Sequence, residues 1–546
     1  MRIPRFASPL LAALLLTVPA SSAPAEETTL PLAGTWRFAL DPENAGVQEK
    51  WFSRKLEDTV RLPGTTDENH KGTAQDERPT DRLMRPWFWK GAAWYQREVT
   101  IPDSWKGKRL TLFLERSKHN RVWVGETFCG WDNTLSAPQV FDLTKALTPG
   151  THTITLLVDN SKLPPVGPSH AVDERTQTNW NGVVGTMELR ATTPVWVDDL
   201  QVYPDAARKE ARVRVRIGNT SGTPAAGTLT ASCTSYNVPE PATFATQSVA
   251  VQAGKGETTV EFIYRPGEEI PLWDEFQPAM LRLDLQLETT AAGTSFRDEH
   301  SATFGMRDFR REGNRLTING RPVFLRGRVD CANYPLTGYA PMDKAEWRRI
   351  LTILKTWGLN HVRFHSWCPP KAAFEAADEL GVYLQPEIPS KRSGYKAPEN
   401  QEAAFHNIDR LDVETTETEV SLYDYAKREG ELIFERFGNH PSFVMFTLGN
   451  ELGRNEGMFE MVAHFKRADP RNLYAQGANN MHWNPSLAEG DDFWVAAKAG
   501  EQSRPLRGAF YIHDYSHGHI DHSPPSTMVD FRKSIEGIPV PLIGHE

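Results

Sequence analysis

SFVMFTLGNELG, residues 442–453, decides how the rest of the chain is read. Its apolar run, 443–448, lacks polar alternation, the pattern of a strand buried on both faces of a parallel sheet. Asn439-His440-Pro441, just ahead of it, closes a long helical segment, because proline disfavours the α conformation at the preceding residue. The run stops abruptly at Gly449-Asn450-Glu451, so an amide and a carboxyl group stand together at the carboxyl end of a core strand. In an α/β barrel that end carries the chemistry. A solvated glutamate beside an asparagine turn is the plain alternative, and the flanking segments decide against it.

From 305 onward, strand and helix alternate. A strand at 322–330, PVFLRGRVD, precedes a helix at 343–357, where Trp347, Ile350, Leu351, Leu354 and Trp357 recur at helical spacing. Asp343 and Glu346 stand three apart at its start, as capping partners do, and Gly358 closes it. Next come a strand at 360–365, a helix at 371–380 stopped by Gly381, and a strand at 382–387. A helix at 419–437 leads into the opening strand, followed by strands at 472–477 and 492–498, a helix at 527–535 and a strand at 539–546. Such alternation implies a parallel sheet, and seven strands in series point to a (β/α)8 TIM barrel. The eighth strand is not in the text, so the barrel is expected to be incomplete, with its last strand missing, and the sequence reads as a truncated record of a longer enzyme.

The first half is different. Segments 94–101, 109–114, 120–124 and 152–158 are strand-like and separated by Gly, Pro, Asn and Asp turns, which points to a jelly-roll β-sandwich. The polar loop TQTNWNG, 176–182, reads equally as a satisfied turn or as a finger carrying Asn179 and Trp180 toward a neighbouring site. A second β region has strands at 211–217, 228–233 and 281–288 and no helix, as in an immunoglobulin-like β-sandwich, although the Cys…Trp…Cys core signature is missing. Nothing there asks for chemistry. Residues 1–25 carry Arg2 and Arg5, an apolar 10–18 and Ala23-Pro24-Ala25, the pattern of a signal peptide, so the chain is expected to be exported, periplasmic or secreted. The expected multidomain organisation is 1–25 signal peptide, 26–193 jelly-roll sugar-binding domain, 194–304 immunoglobulin-like β-sandwich and 305–546 TIM-barrel catalytic domain.

A formal net charge of -9 with no basic run argues against nucleic acid as a partner. No stretch is long and apolar enough to span a membrane. The 16 Trp and 13 Tyr suit carbohydrate, since aromatic faces stack on sugar C–H faces, although core packing accounts for them as well. Cys129, Cys233, Cys331 and Cys368 have no CxxC spacing, so no zinc cluster or redox motif is written in the text. Cys331 and Cys368 fall near the ends of adjacent strands, where two free buried thiols are expected ahead of a disulfide.

Glu451 and Glu546 each end an apolar strand run, in the fourth and seventh barrel units. Two carboxyl groups about 5 Å apart suit retaining glycoside hydrolysis. One must be protonated to assist the leaving oxygen and the other ionised to attack the anomeric carbon, roles that fall to Glu451 and Glu546. No His-x-x-x-His or Asp-x-Asp pattern supports a metal, no organic cofactor is needed, and dependence on a divalent cation is left open by the sequence.

WYQREVTIP (94–102), FGMRDFRREGNRLTINGRPVFLRG (304–327), NHVRFHSWCPPKAAFEAADELGVYLQPE (360–387) and TLGNE (447–451) together resemble glycoside hydrolase family 2, the β-galactosidase, β-glucuronidase and β-mannosidase group. The resemblance covers essentially residues 30–546 and implies a jelly-roll domain, an immunoglobulin-like domain and a TIM barrel in that order. It implies that Glu451 is the acid/base, Asn450 the partner of the substrate 2-hydroxyl, Arg363 the support of the nucleophile, and Glu546, in PLIGHE, that nucleophile. His365, Trp367, Glu387, Asn480 and Trp483 are the candidates for lining the sugar subsites. The chain departs from better-known members after Arg363, where His-Tyr-Pro is replaced by Phe364-His365-Ser366-Trp367-Cys368-Pro369, and at Asp330-Cys331-Ala332-Asn333, where His and Glu are usual. The Asn-Lys pair of characterised β-glucuronidases is not evident. The expectation is a retaining exo-β-glycosidase acting on carbohydrate, β-galactoside favoured, with β-glucuronidase, another family 2 specificity or a catalytically dead carbohydrate-binding relative as alternatives. Oligomeric state is not written in the sequence.

Overall fold

The computed structural model describes residues 28–77, 79–166, 169–172, 177–267, 269–389, 422–450, 456–477, 490–496 and 539–544. The leader-like segment 1–25 and the expected helix 527–535 lie outside these residues.

The chain first builds two antiparallel sheets. One orders Thr29–Pro31, Gly182–Thr192, Arg109–Arg116 and Gln139–Asp142, with Gly64–Thr65 paired alongside. The other orders Thr127–Asp132, His119–Val124, Gly150–Asp159, Ala92–Ile101, Gly34–Asp41 and Asp58–Leu62. Alternating apolar residues of both sheets meet in one core that includes Trp36, Leu112, Leu114, Ile154, Leu156 and Leu189. A second pair of sheets follows. Val195–Asp205, Glu210–Asn219 and Gly256–Tyr264 face Gln247–Ala253, Ala225–Tyr236, Met280–Ala291 and Thr294–Phe304 across a core of Val213, Val215, Leu229, Leu283 and Leu285. Each expected strand segment in this half lies inside an observed strand.

Parallel pairing between strands begins after residue 326. The strand expected at 322–330 is two strands. Asn319 and Gly320 both have positive φ (50° and 77°), the backbone of a tight hairpin turn, so Arg321–Val323 folds back antiparallel onto Arg315–Ile318. Only Gly327–Asp330 enters the barrel. It pairs in parallel with His361–Phe364, which pairs with Tyr383–Gln385. Bridges Leu384–Phe443 and Glu387–Thr447 carry the parallel order to Met445–Thr447, which pairs with Leu473–Ala475. Trp494–Ala496 and Leu542–Gly544 form a further parallel pair, giving seven barrel strands among the described residues. Helices Lys344–Thr356, Lys371–Leu380, Leu422–Phe437 and Glu456–Ala468 alternate with them. Asp343 caps the first by accepting the Glu346 N–H at 2.8 Å, and Gly381, at φ 66°, ends the second.

Buried polar side chains fasten the β units to the barrel. Arg307 donates through Nε to Pro441 O (2.8 Å) and through Nη2 to Phe443 O (2.6 Å) and Asn472 Oδ1 (3.0 Å). It thereby ties the connector before the barrel to the starts of the fourth and fifth strands. Glu429, fully buried on Leu422–Phe437, accepts the N–H groups of Leu135 (2.9 Å) and Ser136 (2.7 Å) and the Thr134 hydroxyl (2.8 Å). One carboxylate thus holds a whole loop of the first β unit on the third barrel helix. Glu429→Ala orphans three donors at once and is expected to cost about 3 kcal/mol or more, read as a lowered urea midpoint at unchanged slope.

Candidate active site

The site grows from the second barrel strand, HVRF, whose four residues are all buried. Arg363 reaches from it across the next two strand ends. Its Nε donates to Glu387 Oε1 at 2.7 Å and its Nη2 to Asn450 Oδ1 at 2.7 Å. Thr447 Oγ1, on the fourth strand, donates to the same Glu387 oxygen at 2.8 Å, and Gln385 Nε2 donates to Thr447 Oγ1 at 3.3 Å. Glu387 is 0% exposed, Arg363 4% and Asn450 2%. Buried charge of this kind stands only when paired and hydrogen-bonded. Two atoms of the pair, Arg363 Nη1 and Glu387 Oε2, are buried without a hydrogen bond, so the network retains polar capacity at the carboxyl end of the barrel.

The strand ends are brought close by glycine. A Cβ on Gly477, after the fifth strand, would come 2.4 Å from Gly449 O, after the fourth, and Gly477 has φ +135°. Only glycine fits that approach.

Above this network the rim is held by main chain. His365 N and Trp367 Nε1 both donate to Asp330 O at 2.9 Å, and Glu387 N donates to Trp367 O at 3.2 Å. Trp367 packs edge-on against Phe364 (5.1 Å between centroids) and Tyr334 (6.2 Å). It also lines a cavity shared with Trp180, Tyr339, Lys118 and His170, where the first β unit meets the barrel.

The sequence-derived candidates therefore separate. Arg363, Asn450 and Glu387 form one network, with Glu387 serving to hold Arg363 rather than to line an open surface. His365 and Trp367 lie on the rim beside it. Trp180 does reach the barrel, its ring 6.0 Å from Tyr339 with Lys118 Nζ 4.4 Å from its centroid. Asn179 turns the other way: its Nδ2 donates to Asn160 O (3.1 Å) while Asn160 Nδ2 donates to Asn179 O (2.8 Å). It holds the loop in the first β unit. Glu451, Glu546, Asn480 and Trp483 lie outside the described residues. None of the four cysteines is in a disulfide, Cys368 being buried and Cys331 only half-buried. Sequence reading passed over Thr447 and Gln385, because a polar residue inside a buried strand carries no periodic mark. His170 also escaped notice.

A second buried acid sits at the next pair of strands. Asp491 Oδ2 accepts from Gln476 Nε2 at 3.0 Å, and burial pushes its carboxyl up to about 7. The folded chain then holds this proton more tightly than the unfolded chain, so stability falls as pH rises from the ordinary carboxylate range of about 4 to about 7. Asp491→Asn should flatten that part of a stability-versus-pH curve measured by urea unfolding. In the main network, Glu387→Ala leaves a buried guanidinium uncompensated and is expected to cost about 3–5 kcal/mol. Thr447→Val should cost about 1 kcal/mol in the same measurement.

A family model described as "Glycosyl hydrolases family 2, sugar binding domain" matches residues 30–192, and one described as "Glycosyl hydrolases family 2, TIM barrel domain" matches residues 309–485. A β-glucuronidase of Paenibacillus borealis is 24% identical over 467 residues, covering 80% of this chain and 69% of that protein. A β-galactosidase of Aeromonas hydrophila is 23% identical over 471 residues, covering 80% of this chain and 42% of its own length. Bacteroides uniformis β-glucuronidase 2, solved covalently bound to cyclophellitol-6-carboxylate aziridine, shares the fold at a TM-score of 0.66 and 19% identity, with 90% of this chain and 56% of that one covered. The chain thus spans a little over half of that solved structure and less than half of that galactosidase. With two family models in the order its β units and barrel follow, this chain belongs to glycosyl hydrolases family 2.

Proposed function

We propose that the protein is a retaining exo-β-glycosidase that releases terminal β-linked sugars from oligo- or polysaccharides by double displacement, with β-galactosides as the favoured substrates. The observation that carries the reading is the buried Arg363–Glu387–Asn450 network, which fixes the residue directly before Glu451 at the carboxyl end of a family 2 barrel. In this reading the first β unit is a jelly-roll sugar-binding domain and the second an immunoglobulin-like spacer.

Asn450 is held through its Oδ1 by Arg363, and in this reading it meets a sugar hydroxyl, the 2-hydroxyl by family resemblance. Glu451 gives its proton to the leaving glycosidic oxygen while the Glu546 carboxylate attacks the anomeric carbon, forming a glycosyl ester. Glu451, now ionised, takes a proton from water, which attacks the same carbon and returns Glu546 to its carboxylate. Two inversions retain the anomeric configuration. The leader-like residues 1–25 make export, to the periplasm or beyond, part of the same proposal.

A second specificity is favoured by the Paenibacillus relative, which matches 80% of this chain and is named β-glucuronidase. A panel of aryl β-glycosides decides between them. Hydrolysis of the galactoside ahead of the glucuronide, with the β-anomer formed first by proton NMR, is the expected outcome, and α-anomer first would overturn retention. Glu451→Gln should lower turnover of substrates with poor leaving groups by about 10²–10⁴-fold while sugar binding stays nearly intact. Unchanged turnover would remove Glu451 from the acid/base role.

A further inference from the structure

Three side chains from segments far apart in sequence converge where the first β unit meets the barrel rim: His170, Cys331 and His365. Each offers one donor atom, and these atoms all lie within 4.8 Å of one another. Cys331 Sγ is 3.2 Å from His365 Nδ1, and the two imidazole rings meet edge to face with centroids 4.5 Å apart.

The surrounding hydrogen bonds decide which atoms face inward. His170 Nδ1 lies 2.6 Å from the main-chain oxygen of His365. A carbonyl oxygen only accepts, so Nδ1 carries the hydrogen and the lone pair of His170 is on Nε2. Imidazoles that bind metals are commonly fixed in this way, the second ring nitrogen donating to a carbonyl. The other two groups stand on rigid strand ends. Cys331 directly follows the first barrel strand, in a turn where Asp330 Oδ1 accepts the Ala332 N–H at 3.0 Å. Ala332 is held there at φ 55°, a left-handed backbone uncommon for a residue with a Cβ. Strain of that kind collects at functional sites. His365 is locked to the same turn by its own N–H on Asp330 O, at 2.9 Å.

We propose that His170 Nε2, Cys331 Sγ and His365 Nδ1 bind a zinc-class divalent cation. One sulfur and two imidazole nitrogens suit zinc and disfavour magnesium or calcium, which take oxygen ligands. Bonds of about 2.3 Å to sulfur and about 2.0 Å to nitrogen set tetrahedral edges of roughly 3–4 Å, and Cys331 Sγ and His365 Nδ1 stand 3.2 Å apart. Three protein ligands leave a fourth position for water or a ligand oxygen, and His170 and Ala332 line the same cavity as Trp180, Tyr339 and Trp367. The bound ion pins the first β unit to the barrel beside the candidate active site. Binding removes the Cys331 thiol proton to solvent as the S–metal bond forms. The proposal stands on this geometry and is independent of which sugar is cleaved.

The test uses the full chain after chelator treatment, titrated with Zn2+ by calorimetry in two buffers and with Co2+ by absorption. The expected result is one Zn2+ per chain with proton release, and a Co2+ form with thiolate-to-metal charge-transfer absorption and intense four-coordinate visible bands. Cys331→Ser should abolish the charge-transfer band. It and His170→Gln should each weaken Zn2+ binding by at least about 10–100-fold, the loss seen even for supporting groups. Melting by circular dichroism confirms that each variant is folded. Absence of Zn2+ uptake by the folded parent chain, or equal uptake by both variants, overturns the proposal. So does a Cys331 thiol that alkylates rapidly while taking no metal, which would mark an ordinary Cys–His pair.

Discussion

A guanidinium that is 4% exposed must have its charge met within the protein, and Arg363 meets it only where three strand ends align. Its Nε needs Glu387 after the third strand and its Nη2 needs Asn450 after the fourth. Transferring either ion out of water costs several kcal/mol, which pairing and hydrogen bonding must offset. A slip of one residue in a strand would turn the carboxylate to the other face, because strand side chains alternate with period two. The ion pair therefore enforces register. Assembling the barrel and assembling the site are the same event.

The same logic operates between the units. Glu429 gathers three donors from one loop of the first β unit, and Arg307 gathers the main-chain oxygens of Pro441, Phe443 and Arg471 at the starts of two barrel strands. Arg471 repeats the device for the second β unit, donating to Val202 O at 3.2 Å and to Gln201 Oε1 at 2.8 Å. Apolar surfaces could bury similar area, but they would tolerate sliding. Charged groups that require particular acceptors tolerate none, so the first β unit is presented to the barrel in one pose. That pose is what sets Trp180 against Tyr339 and His170 against His365.

How much of this is legible in the sequence depends on the kind of signal each residue carries. Helix 371–380 could be read to the residue because Gly381 supplies a left-handed stop. Helix 343–357 could be read because Asp343 supplies a cap. The strand at 322–330 misled, since its apolar run hides the Asn319-Gly320 turn that folds its first half back. Asn450 was legible as a polar residue at the end of an apolar run and Arg363 through the family resemblance, and Asn179 and Trp180 were legible as a pair although only Trp180 faces the barrel. Thr447 was not, because within a fully buried strand a hydroxyl leaves no pattern. Nor was the His170–Cys331–His365 grouping. Metal spacing rules work when ligands share one helix or hairpin, and these three come from three elements joined only by the fold.

Frame and specificity are consequently written in different residues. The frame lies in short buried strands and the charged clamps between them, where each position answers to several neighbours at once. In the proposed reading, sugar choice would lie in rim and loop residues, which answer mainly to the ligand. Two relatives at 24% and 23% identity, each matching 80% of this chain, can thus carry the names of different sugars on one frame. In this chain the rim at the ends of the first two strands is built by Cys331 and by His365 to Cys368, directly above the paired Arg363. In the proposed reading, the residues that would choose a ligand sit one layer out from the charge that holds the barrel, close enough to be positioned by it and free enough to change.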